Sequence, residues 1–364
     1  MAETPAASGG NVDTPDADTS DLVFRFGPAP STIRFVPALS SADVGPSENA
    51  LLVCDHHTAP LLPAGSPEAL RVDAEEADKD WSTVARVIDA AHRAGLDRGA
   101  SVTALGGGVL CDVVAFAASV YLRGVRLVLI PTTLVAMVDA AVGGKTGIDY
   151  EGRKNLIGSF YPAAQVVVWP GALASLPPRQ LAAGMAEVVK TALLGDPGLV
   201  ELLERDGFAA VTGGAAAACA VVRRCVQVKA GIVAADPTER TGLRDVLNLG
   251  HTFAHALEAV TGFGPWNHGE AVAWGIARAM DLGVHLGETP PAHRERVLAL
   301  LESLRFRLRV GSQAPPAAVV EAMAADKKRR GGQLRFVLQR GVGDTFVRPV
   351  ERAEVLRVLA SAAL

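Results

Sequence analysis

Four residues have the types and placement of a transition-metal site. His251 and His255 stand four apart in GHTFAHALE, on one helical face, and His268 opens a further helical stretch. Neutral imidazole is a common ligand for divalent transition metals. Two imidazoles and a carboxylate leave one coordination position open for water or substrate. Glu187, in GMAEVVK, is the candidate carboxylate. The HTxxH spacing lacks the glutamate of HExxH, so no metalloprotease helix is implied. Helix caps and buried, hydrogen-bonded histidines are the competing explanation for the same residues.

Two glycine-rich segments suit anions or polyols. Gly106-Gly107-Gly108 follows the apolar run Val102 to Leu105 and precedes a helical pattern, so backbone amides at a helix N-terminus can face a pyrophosphate there. A plain tight turn fits equally, with Asp112 as an early-helix carboxylate favoured by the dipole. The spacing is not GxGxxG, so no dinucleotide fingerprint is read from it. Gly143-Gly144-Lys145-Thr146 has Asp139 where a P-loop needs its first glycine, which excludes a P-loop nucleotide triphosphatase. Asp139, Lys145, Lys154 and Asn155 remain as a polar set after the apolar run Arg126 to Pro131, suited to a highly hydroxylated ligand or to a solvated turn. The run Asp326 to Arg330, closed by Gly331-Gly332, is a solvated corner from which a cation can reach a phosphate.

The elements that must hold these residues come in two textures. From Asp21, short apolar runs (Leu51 to Asp55, Val102 to Leu105, Arg126 to Pro131) alternate with helical patterns over Trp81 to Ala94 and Asp112 to Val120. That alternation predicts parallel strands with crossover helices. After Pro177-Pro178, Ala- and Leu-rich helices are expected over Arg179 to Leu194, Gly198 to Arg205, Ala215 to Ala235, Gly250 to Val260 and Gly269 to Leu286. The expected division is a disordered tail over 1–20, an α/β domain over 21–180 and a mostly helical domain over 181–364. With 49% hydrophobic and 20% charged residues among 364, the chain can bury real cores, and a net charge of −4 argues against a nucleic-acid partner. Cys54, Cys111, Cys219 and Cys225 form no CxxC pair, and neither a secretory signal nor a run long enough to cross a membrane is evident, so a cytoplasmic location is expected.

From about Leu51 to Val347 the sequence resembles the 3-dehydroquinate synthase family of sugar phosphate cyclases. The resemblance is carried by GGGVLCDVVAF, YLRG, IPTTLVAMVDAAVGGKTGID, KNLIGSFY, LPPRQLAAGMAEVVK, LRDVLNLGHTFAHALEA, HGEAVAWG and DKKRRGGQLRFVL, in that order. It implies an α/β N-terminal NAD-binding domain, a mostly α-helical C-terminal domain carrying zinc or cobalt, and a homodimer. Metal ligands then fall on Glu187, His251 and His268. NAD contacts fall on Asp55, Glu76, Lys79, Gly107, Gly108, Asp112, Thr132, Thr133, Ser175 and Leu176. Substrate hydroxyl and carboxylate contacts match Asp139, Lys145, Asn155, Lys190, Lys229 and Arg244, with Lys154 beside them. Asn248, His255 and Lys328 match the phosphate end, and Arg123 matches an arginine that reaches the neighbouring subunit. Lys145, Lys190, Arg244, Asn248 and His255 form the expected catalytic group.

The implied chemistry is that of a phosphorus–oxygen lyase. A substrate alcohol is oxidised transiently by NAD, phosphate is eliminated, the hydride returns, and the freed chain closes by intramolecular aldol addition. Family members that accept a seven-carbon sugar phosphate without a carboxylate alter the GGKTGI and LRxxLN segments, whereas Lys145, Arg244 and Asn248 are kept here. The expected reaction is therefore 3-deoxy-D-arabino-heptulosonate 7-phosphate to 3-dehydroquinate and phosphate, in the shikimate route to aromatic amino acids. An amino-dehydroquinate synthase or another secondary-metabolism cyclase is the alternative. Iron-type alcohol and glycerol dehydrogenases also place GGG before a helix but lack the phosphate set. Cys111, Ala115, His57, Asp149, Thr191 and Ala254 depart from the family pattern, the first three near the expected NAD site.

Overall fold

Runs of Val, Leu, Ile and Ala too continuous for a half-solvated sheet build the first half. The computed structural model describes residues 20–362 apart from 28, 47, 263 and 328–333; Lys328 and nearly all of the expected tail lie outside the described residues. The strands are β1 (Leu22–Arg25), β2 (Pro30–Phe35), β3 (Ala50–Cys54), β4 (Ala69–Arg71), β5 (Ser101–Gly106), β6 (Arg126–Pro131), β7 (Ile148–Tyr150), β8 (Arg153–Ile157) and β9 (Gln165–Val168). Seven of them form one sheet in the order β1-β2-β9-β6-β5-β3-β4, parallel except for β1 against β2. Every residue of β5 is buried, as a strand covered on both faces requires. Helices α1 (Trp81–Arg93) and α2 (Gly108–Val120) lie in the crossovers around β5.

The chain adds β4 on one side of β3 and β5 on the other. Strand order reverses there, and in open α/β sheets ligands bind beyond the C-terminal strand ends at such a point. Asp55 follows β3 and Gly107 follows β5, so both stand at the reversal. β7 and β8 form a separate hairpin after β6.

From Pro178 the chain is mostly helical: α3 (Pro178–Gly195), α4 (Pro197–Asp206), α5 (Ala209–Thr212), α6 (Ala215–Ala235), α7 (His251–Thr261), α8 (His268–His285), α9 (Pro291–Ser303), α10 (Pro316–Lys327) and α11 (Arg352–Ala362). The hairpin β10 (Arg335–Gly341) and β11 (Asp344–Pro349) interrupts them. α8 is buried along most of its length and packs against α3, α7, α9, α11 and β10. Among the described residues no helix is long and apolar enough to cross a membrane.

Candidate active site

Three helices bring Glu187, His251 and His268 together, with ligand atoms all within 4.8 Å of one another. Glu187 sits mid-α3, while His251 and His268 are the first residues of α7 and α8. Backbone contact sets the spacing. A Cβ on Gly269 would lie 2.2 Å from Ala183 Cα, and one on Gly275 would lie 2.1 Å from the Gly250 carbonyl oxygen. Gly250 also has φ +81°, a conformation that favours glycine. Asn267 caps α8 by accepting the Glu270 amide at 2.8 Å, which fixes where His268 begins.

The donor set suits a divalent metal. Glu187 is fully buried, and among the described residues neither of its carboxylate oxygens has a partner of hydrogen-bond geometry, although Lys190 Nζ lies 2.6 Å from Oε2 and His268 Nε2 lies 3.3 Å from Oε1. Orphaned buried carboxylate oxygens are costly unless something else satisfies them. His251 turns Nδ1 to the Leu249 carbonyl at 3.2 Å and leaves Nε2 toward Glu187 at 3.7 Å, as a ligating imidazole does. Burial opposes the charge of Glu187, but Lys190, with His268 and His251, holds it well below the usual carboxylate range. Burial and then Lys190 push His251 well below the usual imidazole value, so it is neutral. Burial lowers His268 too, but the carboxylates of Glu187 and Glu258 outweigh it and raise the group to about 9. Binding a metal there releases a proton.

A polar cluster lies beside these ligands. Asp139 is carried by a π-helical turn, Ala136 to Ala140, a local geometry frequent at functional sites. Its carboxylate accepts from Lys190 Nζ at 3.2 Å and contacts Lys229 Nζ, which also donates to the Asp139 carbonyl at 2.6 Å. Burial and then Arg244 push Lys229 down to about 7, against the pull of Asp112 and Glu239. Lys145 and Arg244 converge on one carboxylate oxygen of Glu239, in direct contact for Lys145 and at 3.7 Å for Arg244 Nε. Arg244 is 2% exposed, and its Nε has no hydrogen-bond partner among the described residues. Asn248 ends the turn before His251, and the His255 ring lies 5.5 Å from that of His251 and 6.3 Å from that of His268.

At the strand reversal, α2 starts at Gly108 with no side chain capping it. A Cβ on Gly107 would meet Thr133 Cγ2 at 3.2 Å, so the glycine keeps the approach to the helix N-terminus open. Lys79 donates to Asp112 at 2.6 Å and to Asn155 at 2.5 Å, joining residues expected at the nucleotide to one expected at the substrate. Glu76 pairs with Lys154 at 2.9 Å. Thr132 donates its amide to the Gly106 carbonyl, and Thr133 Oγ1 accepts the Ala136 amide at 3.2 Å. The Asp55 carboxylate accepts the amides of His57 and Thr58, each at 2.8 Å, so it also folds its own turn.

Ser175 and Leu176 end the helical turn after β9, and Ser175 Oγ donates to Ala172. Arg123 is exposed at the far end of α2 in a turn where Leu122 and Arg123 have φ 48° and 70°. Cys111 and Ala115 are buried inside the sheet–helix core, and Cys111 Sγ lies 3.7 Å from the Gly106 carbonyl just before α2. The helix also begins four residues before the expected Asp112, since Gly107 itself serves as cap. Glu239 lies outside the quoted motifs and Glu258 ends GHTFAHALE without an expected role, yet both face the cluster: Glu239 Oε1 contacts Lys145, and Glu258 Oε1 lies 3.4 Å from His268 Nδ1.

Comparison with known proteins agrees with this arrangement. Residues 69–183 match the family model of the 3-dehydroquinate synthase N-terminal region, and residues 184–329 match that of its C-terminal region. A similar solved structure is 2-epi-5-epi-valiolone synthase from Streptomyces hygroscopicus subsp. jinggangensis 5008 with NAD+ and Zn2+ bound. It is 33% identical over 91% of this chain and 96% of its own, with TM-score 0.81. A 2-deoxy-scyllo-inosose synthase complexed with carbaglucose-6-phosphate, NAD+ and Co2+ shares the fold at 24% identity and TM-score 0.82, over 94% of this chain and 99% of its own. A probable glycerol dehydrogenase from Sinorhizobium meliloti 1021 shares it more distantly, at 18% identity and TM-score 0.60, over 87% and 90%. With family models covering most of its length, the chain belongs to the 3-dehydroquinate synthase family.

Proposed function

We propose that the chain is a sugar phosphate cyclase that uses NAD and a divalent metal, zinc or cobalt, on a seven-carbon sugar phosphate bearing a carboxylate. The observation that carries the carboxylate is Glu239: beside the Glu187, His251 and His268 cluster, Lys145 and Arg244 already hold one carboxylate between them. The substrate favoured is 3-deoxy-D-arabino-heptulosonate 7-phosphate, with 3-dehydroquinate and phosphate as products. Residues 21–180 are then the nucleotide half and 181–364 the metal half.

When bound, the metal supplies Lewis acidity toward a secondary alcohol, and the nicotinamide supplies a hydride acceptor. Glu187, His251 and His268 are the residues that hold the former. The open N-terminus of α2, with Gly107 and Gly108, would receive the pyrophosphate of the latter. Lys190 stands between Glu187 and Asp139 and can hold a substrate hydroxyl while its charge offsets theirs. Lys145 and Arg244 exchange Glu239 for the substrate carboxylate. His255 and Asn248 grip the phosphate and ease its departure as charge develops.

Arg123 is read as serving the neighbouring subunit's phosphate end, as the family resemblance implies. It lies beyond a helix of 13 residues, about 20 Å from the Gly107 cradle at roughly 1.5 Å per residue. Val120 and Leu122 beside it are exposed apolar residues, 43% and 39%, as a surface covered by a second copy would be. A homodimer brings Arg123 to the partner's phosphate end.

A second reading rests on the 33% identity to the valiolone synthase: a cyclase of secondary metabolism that takes a substrate without a carboxylate. Phosphate release by the zinc-loaded protein with NAD+, measured side by side on the carboxylated sugar phosphate, its amino analogue and an uncarboxylated seven-carbon sugar phosphate, separates them. The carboxylated compounds should be turned over with the higher kcat/KM; preference for the uncarboxylated one overturns the carboxylate assignment.

A further inference from the structure

Glu258 is the buried carboxylate next to this site to which the reaction assigns nothing. It lies on α7 two turns beyond His251, is 3% exposed, and has no apolar reason to be there. Its Oε1 lies 3.4 Å from His268 Nδ1 and 3.8 Å from Lys154 Nζ. The other ring nitrogen of His268, Nε2, faces Glu187 Oε1 at 3.3 Å. His268 is thus held from both ends: one nitrogen toward the three-ligand cluster, the other toward a second carboxylate. A histidine whose N–H is taken by a carboxylate is fixed in ring orientation and tautomer and becomes a better metal ligand, and losing such a partner commonly costs about 10–100-fold in metal affinity.

Lys154 completes the arrangement. Its ammonium also pairs with Glu76 at 2.9 Å, so the Glu258 oxygen links a ligand on α8 to the β8 hairpin and to the loop before α1. A buried carboxylate keeps its charge only with such partners.

We infer that Glu258 is a positioning residue that orients His268 for the metal, with Lys154 holding Glu258 in place. The inference rests on the metal-ligand reading of Glu187, His251 and His268. It is tested on the full-length protein by zinc-affinity titration against a chromophoric chelator, without substrate, for wild type, Glu258→Gln and Glu258→Asp. Wild type should bind one zinc per chain. Glu258→Gln should bind it about 10–100-fold more weakly and Glu258→Asp to an intermediate degree, with NAD+ affinity by calorimetry unchanged and the metal-free unfolding midpoint not lowered. Zinc affinity equal to wild type in a folded variant overturns the role of Glu258, and so does weakened zinc binding accompanied by an equally weakened metal-free fold. Should Glu258→Gln fail to fold, Glu258→Asp alone decides by the same readouts. Failure of wild type to bind stoichiometric zinc instead overturns the ligand assignment itself, so the two failures are separable.

Discussion

Glu239 shapes what a substrate meets first. Its carboxylate ties up Lys145 and Arg244, and it does so from a residue with φ +55°, a conformation disfavoured for anything but glycine, asparagine or aspartate. Lys145 is 51% exposed, so the pair is partly screened and the contact is worth about 1 kcal/mol or less. Glu239→Gln should therefore lower KM for the carboxylated substrate about two- to five-fold and leave an uncarboxylated sugar phosphate unaffected. A raised KM shows instead that Glu239 positions the two cations. His268→Ala should abolish stoichiometric zinc while NAD+ binding persists, read by metal analysis and calorimetry; retained zinc contradicts the ligand set. At this scale the residues themselves offered Glu187, His251, His255 and His268, and the family resemblance narrowed these to the three that the fold brings within ligating distance of one another. Glu239 and Glu258 were not legible. Acidic residues in a polar turn and on an amphipathic helix are common, and only the fold shows what they face.

Elements place those residues through close backbone contact. Gly269→Ala would set a Cβ 2.2 Å from Ala183 Cα, forcing α8 away from α3 and His268 away from Glu187. The expected outcome is a loss of about 1–3 kcal/mol in urea unfolding together with weakened zinc binding. Unchanged metal affinity would show that the helices can slide without disturbing the ligands. Asp196 joins three helices: it follows α3, caps α4 through the Leu199 amide at 3.0 Å, and holds Arg224 of α6 at 2.5 and 2.7 Å. Asp196→Ala should cost about 1–3 kcal/mol. Burial opposes its ionisation, but Arg224 and the amides keep the Asp196 pKa below 3.8 in the folded chain. Its contribution is present above pH 3.8 and fades as pH falls through the lower folded value, so the gap between variant and wild type in unfolding free energy should close in acid. A gap that is the same at pH 3 and pH 7 rules out the carboxylate as its source. Apolar runs and breaker residues revealed most of these elements: β6 and α6 match their expected bounds, Arg126–Pro131 and Ala215–Ala235. α9 and α10 were not among the expected helices, and the β7–β8 hairpin escaped because its strands are three and five residues long and β8 is almost wholly exposed.

The whole molecule is a parallel sheet whose strand order reverses where the glycine-capped helix begins, followed by a helical half that gathers the metal-type ligands. The fold class was legible from the alternation of strands and helices followed by a run of helices alone. The homodimer and the partner role of Arg123 come from the family resemblance and are a proposal; the structure shows Arg123 exposed beside Val120 and Leu122. Mixed dimers test that role: a chain carrying Arg123→Ala combined with one carrying His268→Ala should recover about a quarter to a half of wild-type activity through one intact site, and no recovery places Arg123 within its own subunit. The reaction itself is tested most directly by following inorganic phosphate and the NADH absorbance band together, with zinc-loaded protein, catalytic NAD+ and 3-deoxy-D-arabino-heptulosonate 7-phosphate. Phosphate should accumulate through many turnovers with no net rise in NADH. Stoichiometric NADH without phosphate contradicts the cyclase assignment.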